Sequence, residues 1–144
     1  MTGARQSVRI DIISDVVCPW CYLGKARLEA ALNDLPDIEA DIHWRPYQLD
    51  PAIPRTGVDR KAYMEKKFGP GPGLAEAQTR PTAFGKALGR AFAFDTIQVS
   101  PNTMNAHRLI RWAAQAGPGI QNKVVDTLFK AYFEDGKDIG DTDI

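Results

Sequence analysis

Cys18 and Cys21 are the only two cysteines in this 144-residue sequence, and two residues separate them in the stretch "SDVVCPWCYLGKARL". Such a pair supports two chemistries. The sulfurs can ligate a metal ion, or one can attack a disulfide while the other resolves the product. A structural zinc site takes four ligands, usually from paired motifs. Here only His43 and His107 remain as further histidines, without ligand spacing, so exchange chemistry is favoured over metal. A lone Cys-x-x-Cys is a weak signal; the same pair between a strand and a helix of a βαβ unit is far more specific.

The flanking elements supply that context. "SVRIDIIS" alternates and then runs apolar through Val8, Ile10, Ile12 and Ile13, which predicts a buried strand. Leu28, Ala31, Leu32 and Leu35 then fall on one helical face, and Pro36 closes the helix. "IEADIHWRP" predicts a second strand through Ile38, Ala40, Ile42 and Trp44, ended by Pro46. Strand, helix and strand with so long a crossover imply a parallel pair in a right-handed unit. Cys18 therefore sits where the first strand ends, and Cys21 lies one turn into the helix.

A helix N-terminus offers free N–H groups and the positive end of the macrodipole, both of which favour a thiolate. The first cysteine of such pairs reaches a pKa of ~3.5–7. Pro19 fits the first turn, where its missing N–H would be unpaired anyway. Trp20 is expected to shield the sulfurs and present a flat apolar surface to a substrate. The pattern predicts that Cys18 attacks a disulfide and Cys21 resolves the mixed disulfide, with the reverse reaction donating one.

Beyond Trp44 no strand pattern is evident. "DRKAYMEKKFG" reads as a helix, "GPGPGLAEAQTRP" as a flexible Gly/Pro-rich loop, and "TAFGKALGRAF" as a short helix weakened by Gly85 and Gly89. "SPNTMNAHRLIRWAAQAG" opens with Ser100 as N-cap and Pro101 at the first helical position. "NKVVDTLFKAYFEDG" places Val124, Leu128 and Tyr132 on one stripe, with Gly136 as stop and Asp141 as cap of a further helix. His107 is expected to be a half-buried structural histidine near Met104, Ile110 and Arg111. His43 alternates with the apolar set, and Asn102 and Asn105 read as capping residues. Arg60, Lys61, Lys66 and Lys67 read as a solvated helix face around Glu65. Trp44, Tyr47 and Trp112 read as core, and Pro46, Pro51 and Pro54 as fixing a loop path.

Composition bounds the rest. Apolar residues make up 44% and charged residues 25%, as in an ordinary globular domain. Eighteen basic residues balance eighteen acidic ones, which gives no electrostatic reason to expect nucleic acid or an anionic membrane as partner. No window reaches the ~20 apolar residues of a membrane span. No signal peptide is evident at the N-terminus, so a cytoplasmic location is expected. In a reducing compartment a cysteine pair is more often catalytic, redox-sensing or metal-bound than a structural staple.

Taken together, "SDVVCPWCYLGKARLEAAL", "WRPYQLDP", "DRKAYMEKKFG", "SPNTMNAHRLIRWA" and "LFKAYFEDGKDIGD" resemble, in order, the FrnE-like branch of the DsbA family. The resemblance implies an α/β fold of the thioredoxin superfamily with an inserted α-helical domain. It implies a thiol–disulfide oxidoreductase in which Cys18 corresponds to the nucleophilic cysteine and Cys21 to its resolving partner. The expected substrates are thiol- or disulfide-containing proteins or small molecules; no metal or organic cofactor is needed for exchange, and glutathione may enter as reductant. Residues 1–59 would form the first thioredoxin half and residues 60–144 part of the inserted domain.

Members of that branch continue through a cis-proline loop, further strands and a final helix that have no counterpart here. Two parallel strands also lack the cover and neighbours such sheets need. Both observations make the chain look like part of a longer protein, and the piece alone is expected to be poorly stable and prone to association, with homo-oligomers left open. A sister group provides the alternative function. The 2-hydroxychromene-2-carboxylate isomerases and kappa-class glutathione transferases place a serine where Cys18 stands, and having cysteine at both positions favours redox work. A redox-regulated binding or chaperone module is the third reading.

Overall fold

The computed structural model describes residues 3–144. Strand β1 (Gln6–Ser14) is followed by helix α1 (Pro19–Asn33) and strand β2 (Ile38–Pro46). The two strands pair in parallel from Gln6 opposite Ile38 to Ser14 opposite Pro46, with α1 as the crossover that a parallel pair requires. The remainder is mainly helical: α2 (Arg60–Phe68), α3 (Gly73–Ala87), α4 (Met104–Ala113) and α5 (Ile120–Phe133). Strands do occur beyond Trp44, contrary to expectation, as two-residue segments β3 (Val58–Asp59) and β4 (Val99–Ser100) paired antiparallel. Pieces this short carry no readable alternation.

The core lies where α1, β2 and α5 meet. Tyr22 of α1 stacks on Phe129 and Phe133 of α5 at 5.0 and 5.9 Å between ring centroids. Trp44 meets Phe129 edge-on at 6.3 Å, and Phe92 meets Phe133 at 5.1 Å. Rings in these offset and edge-on arrangements gain beyond their area burial. The buried stripe of α5 is thus Val125, Phe129, Tyr132 and Phe133, about one position round from the expected Val124, Leu128 and Tyr132. On α1 the buried residues are Tyr22, Leu23, Lys25 and Ala26, while Ala31 and Leu35 of the expected face are exposed. The first two turns, not the last, carry the packing.

Polar pins hold the layers in register. Buried Gln121 accepts from the Trp44 backbone N–H at 3.1 Å and donates to the Ile110 carbonyl at 3.1 Å, tying β2, α5 and α4. Buried Lys25 pairs with Glu29 and, at 3.1 Å, with Asp126 of α5.

Several local expectations give way to tertiary structure. Much of the expected Gly/Pro loop is the first half of α3, with Pro81 buried inside the helix. The run "LAEAQTR" consists largely of good helix formers, and Thr79 and Thr82 donate back to Ala75 and Gln78 carbonyls at 2.7 Å. Gly85 is required there because a Cβ would come within 2.5 Å of the Arg90 carbonyl oxygen and 2.6 Å of the Phe92 ring. Ser100 is not an N-cap: it is buried in β4, opposite Val58, and α4 begins after Thr103. Asn102 does act near that end, accepting from the Met104 N–H at 2.9 Å. Arg60 is no solvated residue; it is buried and donates to the Tyr132 hydroxyl at 3.3 Å. Trp44 is core as expected, but Trp112 and Tyr47 are 64% and 55% exposed. Asp141 accepts from the Asp143 N–H at 2.9 Å in a terminal turn. Among the described residues, no helix is long and apolar enough to cross a membrane.

Candidate active site

The site is built on the turn that carries β1 into α1. Cys18 is the N-cap of α1, in an extended conformation at φ −93° and ψ 111°, and Pro19 follows in the first turn. An N-cap side chain accepts from a backbone N–H two or three residues on. Here the Cys18 sulfur accepts from the Cys21 N–H at 3.3 Å. The geometry is that of a Ser or Asp cap with sulfur in place of oxygen, and it aims an orphan helical donor at the sulfur. The two cysteines are 3 Å apart and both are free thiols, half-buried.

At that separation the thiols share a proton. With the proton on Cys18, its thiol donates to Cys21 and holds Cys21 down to about 6; burial opposes this, and the Ser14 hydroxyl and the Asp15 backbone N–H add to it. The same bond, with burial, pushes Cys18 up. Interchanging the proton gives the mirror arrangement, so the first ionisation belongs to the pair and falls below the ordinary thiol value. The Cys21 and Trp20 backbone N–H groups favour charge on Cys18. The negative charge of Asp15 opposes charge on Cys21.

Asp15 is the residue that sequence reasoning missed. It is 2% exposed, and its carboxylate accepts from the Val16 N–H at 2.9 Å, the Leu49 N–H at 2.8 Å and His107 Nε2 at 3.0 Å. His107 Nε2 also lies 3.0 Å from the Tyr47 carbonyl oxygen; facing two acceptors, it carries the ring proton. His107 is thus buried, as a structural histidine would be, but it reaches the turn before the cysteines. His43 does not join them and lies 2.9 Å from Asp41 on β2. The available signal for Asp15 was a charged residue inside the apolar run from Ile12 to Val17.

Trp20 lies on the outer side of the site, 46% exposed. It meets Phe84 of α3 edge-on at 6.0 Å, with Arg80 6.0 Å from the Trp20 ring and Arg27 4.8 Å from the Phe84 ring. The expected flat apolar surface is present, extended by a second ring and flanked by two guanidinium groups. Its second ring, Phe84, lies in the segment expected to form a short helix.

Comparison with known proteins agrees with this geometry. The family model of the DSBA-like thioredoxin domain matches residues 9–144. The uncharacterized protein YwbO of Bacillus subtilis (strain 168) is 29% identical over 138 residues, 96% of this chain and 62% of YwbO. A crystal structure from Streptomyces coelicolor, named a probable DsbA oxidoreductase, superposes with a TM-score of 0.78 at 29% identity, over 92% of this chain and 57% of that one. A protein from Nitrosomonas europaea, provisionally named a protein disulfide isomerase, shares the fold at a TM-score of 0.62 and 13% identity, over 94% of this chain and 59% of that one. The chain thus spans about three fifths of the length of these relatives. Motif, fold and family model coincide over nearly all of it, and the chain belongs to the family of DSBA-like thioredoxin domains.

Proposed function

We propose that this protein carries out thiol–disulfide exchange with Cys18 as nucleophile and Cys21 as resolving cysteine, on peptide or small-molecule disulfides. The observation that carries this reading is the Cys18 sulfur at the N-cap of α1, accepting the Cys21 N–H, because that donor and the helix dipole favour the nucleophilic thiolate. In the forward direction the Cys18 thiolate attacks one sulfur of a substrate disulfide. The Cys18–substrate disulfide forms and the other substrate sulfur leaves as thiolate. Cys21 then loses its proton and attacks the Cys18 sulfur, closing the Cys18–Cys21 disulfide and releasing the second substrate thiolate. Two electrons pass from the dithiol to the substrate, and the reverse sequence donates a disulfide.

The resemblance of the quoted motifs supports placement in the FrnE-like branch, a cytoplasmic setting, and glutathione as a reductant of the oxidised pair. The same resemblance supports dividing the chain into residues 1–59, the first thioredoxin half, and 60–144, an inserted helical part. The exposed Trp20–Phe84 surface supports an apolar or aromatic substrate segment beside Cys18. The test is reduction of a small-molecule disulfide by the dithiol form of the wild type and of Cys18→Ser. Loss of activity in the variant is expected; equal activity overturns the reading. The reduction potential assigns direction: a value near about −270 mV makes the protein a reductant, and one near about −120 mV an oxidant.

A further inference from the structure

Arg27 and Arg80 stand beside the cysteine turn, and neither is spent on a carboxylate. Arg9 and Arg45 pair with Asp11, and Arg90 pairs with Glu29. Arg27 and Arg80 pair with no acidic side chain among the described residues. Each is exposed and laid against a ring instead. The Arg80 guanidinium is 6.0 Å from the Trp20 ring, Trp20 meets Phe84 at 6.0 Å, and the Arg27 guanidinium is 4.8 Å from the Phe84 ring. A guanidinium resting on a ring keeps its N–H edge free and is pre-organised before a partner arrives. On α1, Trp20, Gly24 and Arg27 follow at i, i+4 and i+7 and share one face. A Cβ at Gly24 would meet nothing within 4 Å, so the helix backbone is bare between the ring and the guanidinium. Arg80 and Phe84, one turn apart on α3, line the other side. The result is a shallow strip that starts at Trp20, next to Cys18, and runs along α1 to Arg27.

We propose that this strip reads a polypeptide substrate, and that Arg27 and Arg80 make it select disulfides with an aspartate or glutamate near the reacting cysteine. The inference rests on the exchange reading above and deepens it by naming the substrate class. A carboxylate accepts two parallel N–H bonds from a guanidinium, and an apolar or aromatic neighbour covers Trp20 and Phe84. The helix also sets the spacing. Arg27 is nine residues past Cys18, which is about 13.5 Å along the axis of α1. An extended peptide rises ~3.3 Å per residue. The acidic residue read by Arg27 therefore lies about four residues from the cysteine that Cys18 attacks. Arg80, against Trp20, reads positions closer to that cysteine. The preference is local, because the chain's formal net charge is zero and supplies no general attraction for acids. Two arginines on two rings would also suit a nucleic-acid base and its phosphate. The adjacent Cys18 favours a polypeptide, since its chemistry requires a partner that carries a disulfide.

The test uses the full chain and pairs of peptide disulfides that differ only in carrying Glu or Lys four residues from the cysteine. The readout is the ratio of the two kcat/KM values within each protein, so any change in overall activity cancels. The wild type is expected to favour the Glu peptide by about five-fold, the scale of an exposed ion pair. Arg27→Gln should lower that ratio to about two-fold, and Arg27→Gln with Arg80→Gln to about one. Arg111→Gln removes the same charge from α4 and should leave the ratio as in the wild type. A wild-type ratio near one, or equal losses in Arg27→Gln and Arg111→Gln, overturns the proposal. S-methylated forms of the same peptides cannot exchange, and their binding is followed by the Trp20 indole N–H resonance. Here too the Glu peptide should bind about five-fold tighter; equal binding of the two, or tighter binding of a single-stranded oligonucleotide, overturns the proposal. This arm keeps the two readings apart. Absence of exchange with every disulfide, uncharged small molecules included, refutes the exchange reading, and the binding order then decides the acidic-peptide site by itself.

Discussion

One helical turn separates Cys18 from Cys21, yet their surroundings come from different sources. The Cys18 sulfur meets backbone of its own turn, and beyond it lies the exposed Trp20–Phe84 surface. Cys21 faces Ser14 and Asp15 at the end of β1, and Asp15 is fixed in turn by His107 from 92 residues further along the chain. The surroundings of one sulfur are local, and those of the other are supplied by tertiary structure. The contrast implies that nucleophilicity at Cys18 should survive many distant substitutions, whereas the behaviour of Cys21 should not.

The largest expected effect is the difference between the two single-cysteine losses. Cys18→Ser should reduce exchange by at least about a thousand-fold, while Cys21→Ser should still attack and then stall as a mixed disulfide visible by mass spectrometry. Trapping by Cys18→Ser instead would reverse the assignment. Next in size is Phe129→Ala. Phe129 is 0% exposed between Tyr22, Trp44 and Phe133, and its truncation should cost about 3–5 kcal/mol in chemical denaturation. A loss under about 1 kcal/mol would show that this cluster does not support the Cys21 side.

The pH dependence of stability gives a smaller signal. The pair releases its first proton near 6 when folded, against about 8.5 for a free thiol. Between those values the unfolded chain binds more protons, so stability of the reduced protein should rise with pH there and the gain should be lost as pH falls through about 6. The slope stays below the one-proton ceiling of about 1.4 kcal/mol per pH unit. Urea midpoints of the wild type and Cys18→Ala, measured at pH 5.5 and 8, would check it; equal pH dependence in both would remove the thiol pair as the cause. Trp20→Ala should have the smallest effect on stability, under about 1 kcal/mol, because the ring is half exposed. Its expected signature is a several-fold higher KM for a peptide disulfide, with a small-molecule disulfide little affected. Equal effects on both substrates would argue against a contact surface.

Much of the first 46 residues was legible because their signals are local. Apolar runs in the two strands, a cysteine at a capping position and a proline in the first helical turn each act through neighbours in sequence. The middle was less legible. Gly73 and Pro81 carry loop propensity, and only the packing of α3 against α1, with Gly85 under Phe92, makes a helix there. Arg60 looked solvated until Tyr132 came to cover it. Trp112 looked like core and is 64% exposed.

By itself, the sequence determined the βαβ unit, the position of Cys18 at the start of α1, and the family to which these belong, because strand alternation, capping and turn chemistry are short-range. Tertiary structure alone decided what stands behind Cys21. A carboxylate at Asp15 has no fixed electrostatic consequence until it is buried, and its burial depends on Leu49 and His107 arriving from separate elements. Charge effects grow as water is excluded, and exclusion of water is a property of the packed molecule.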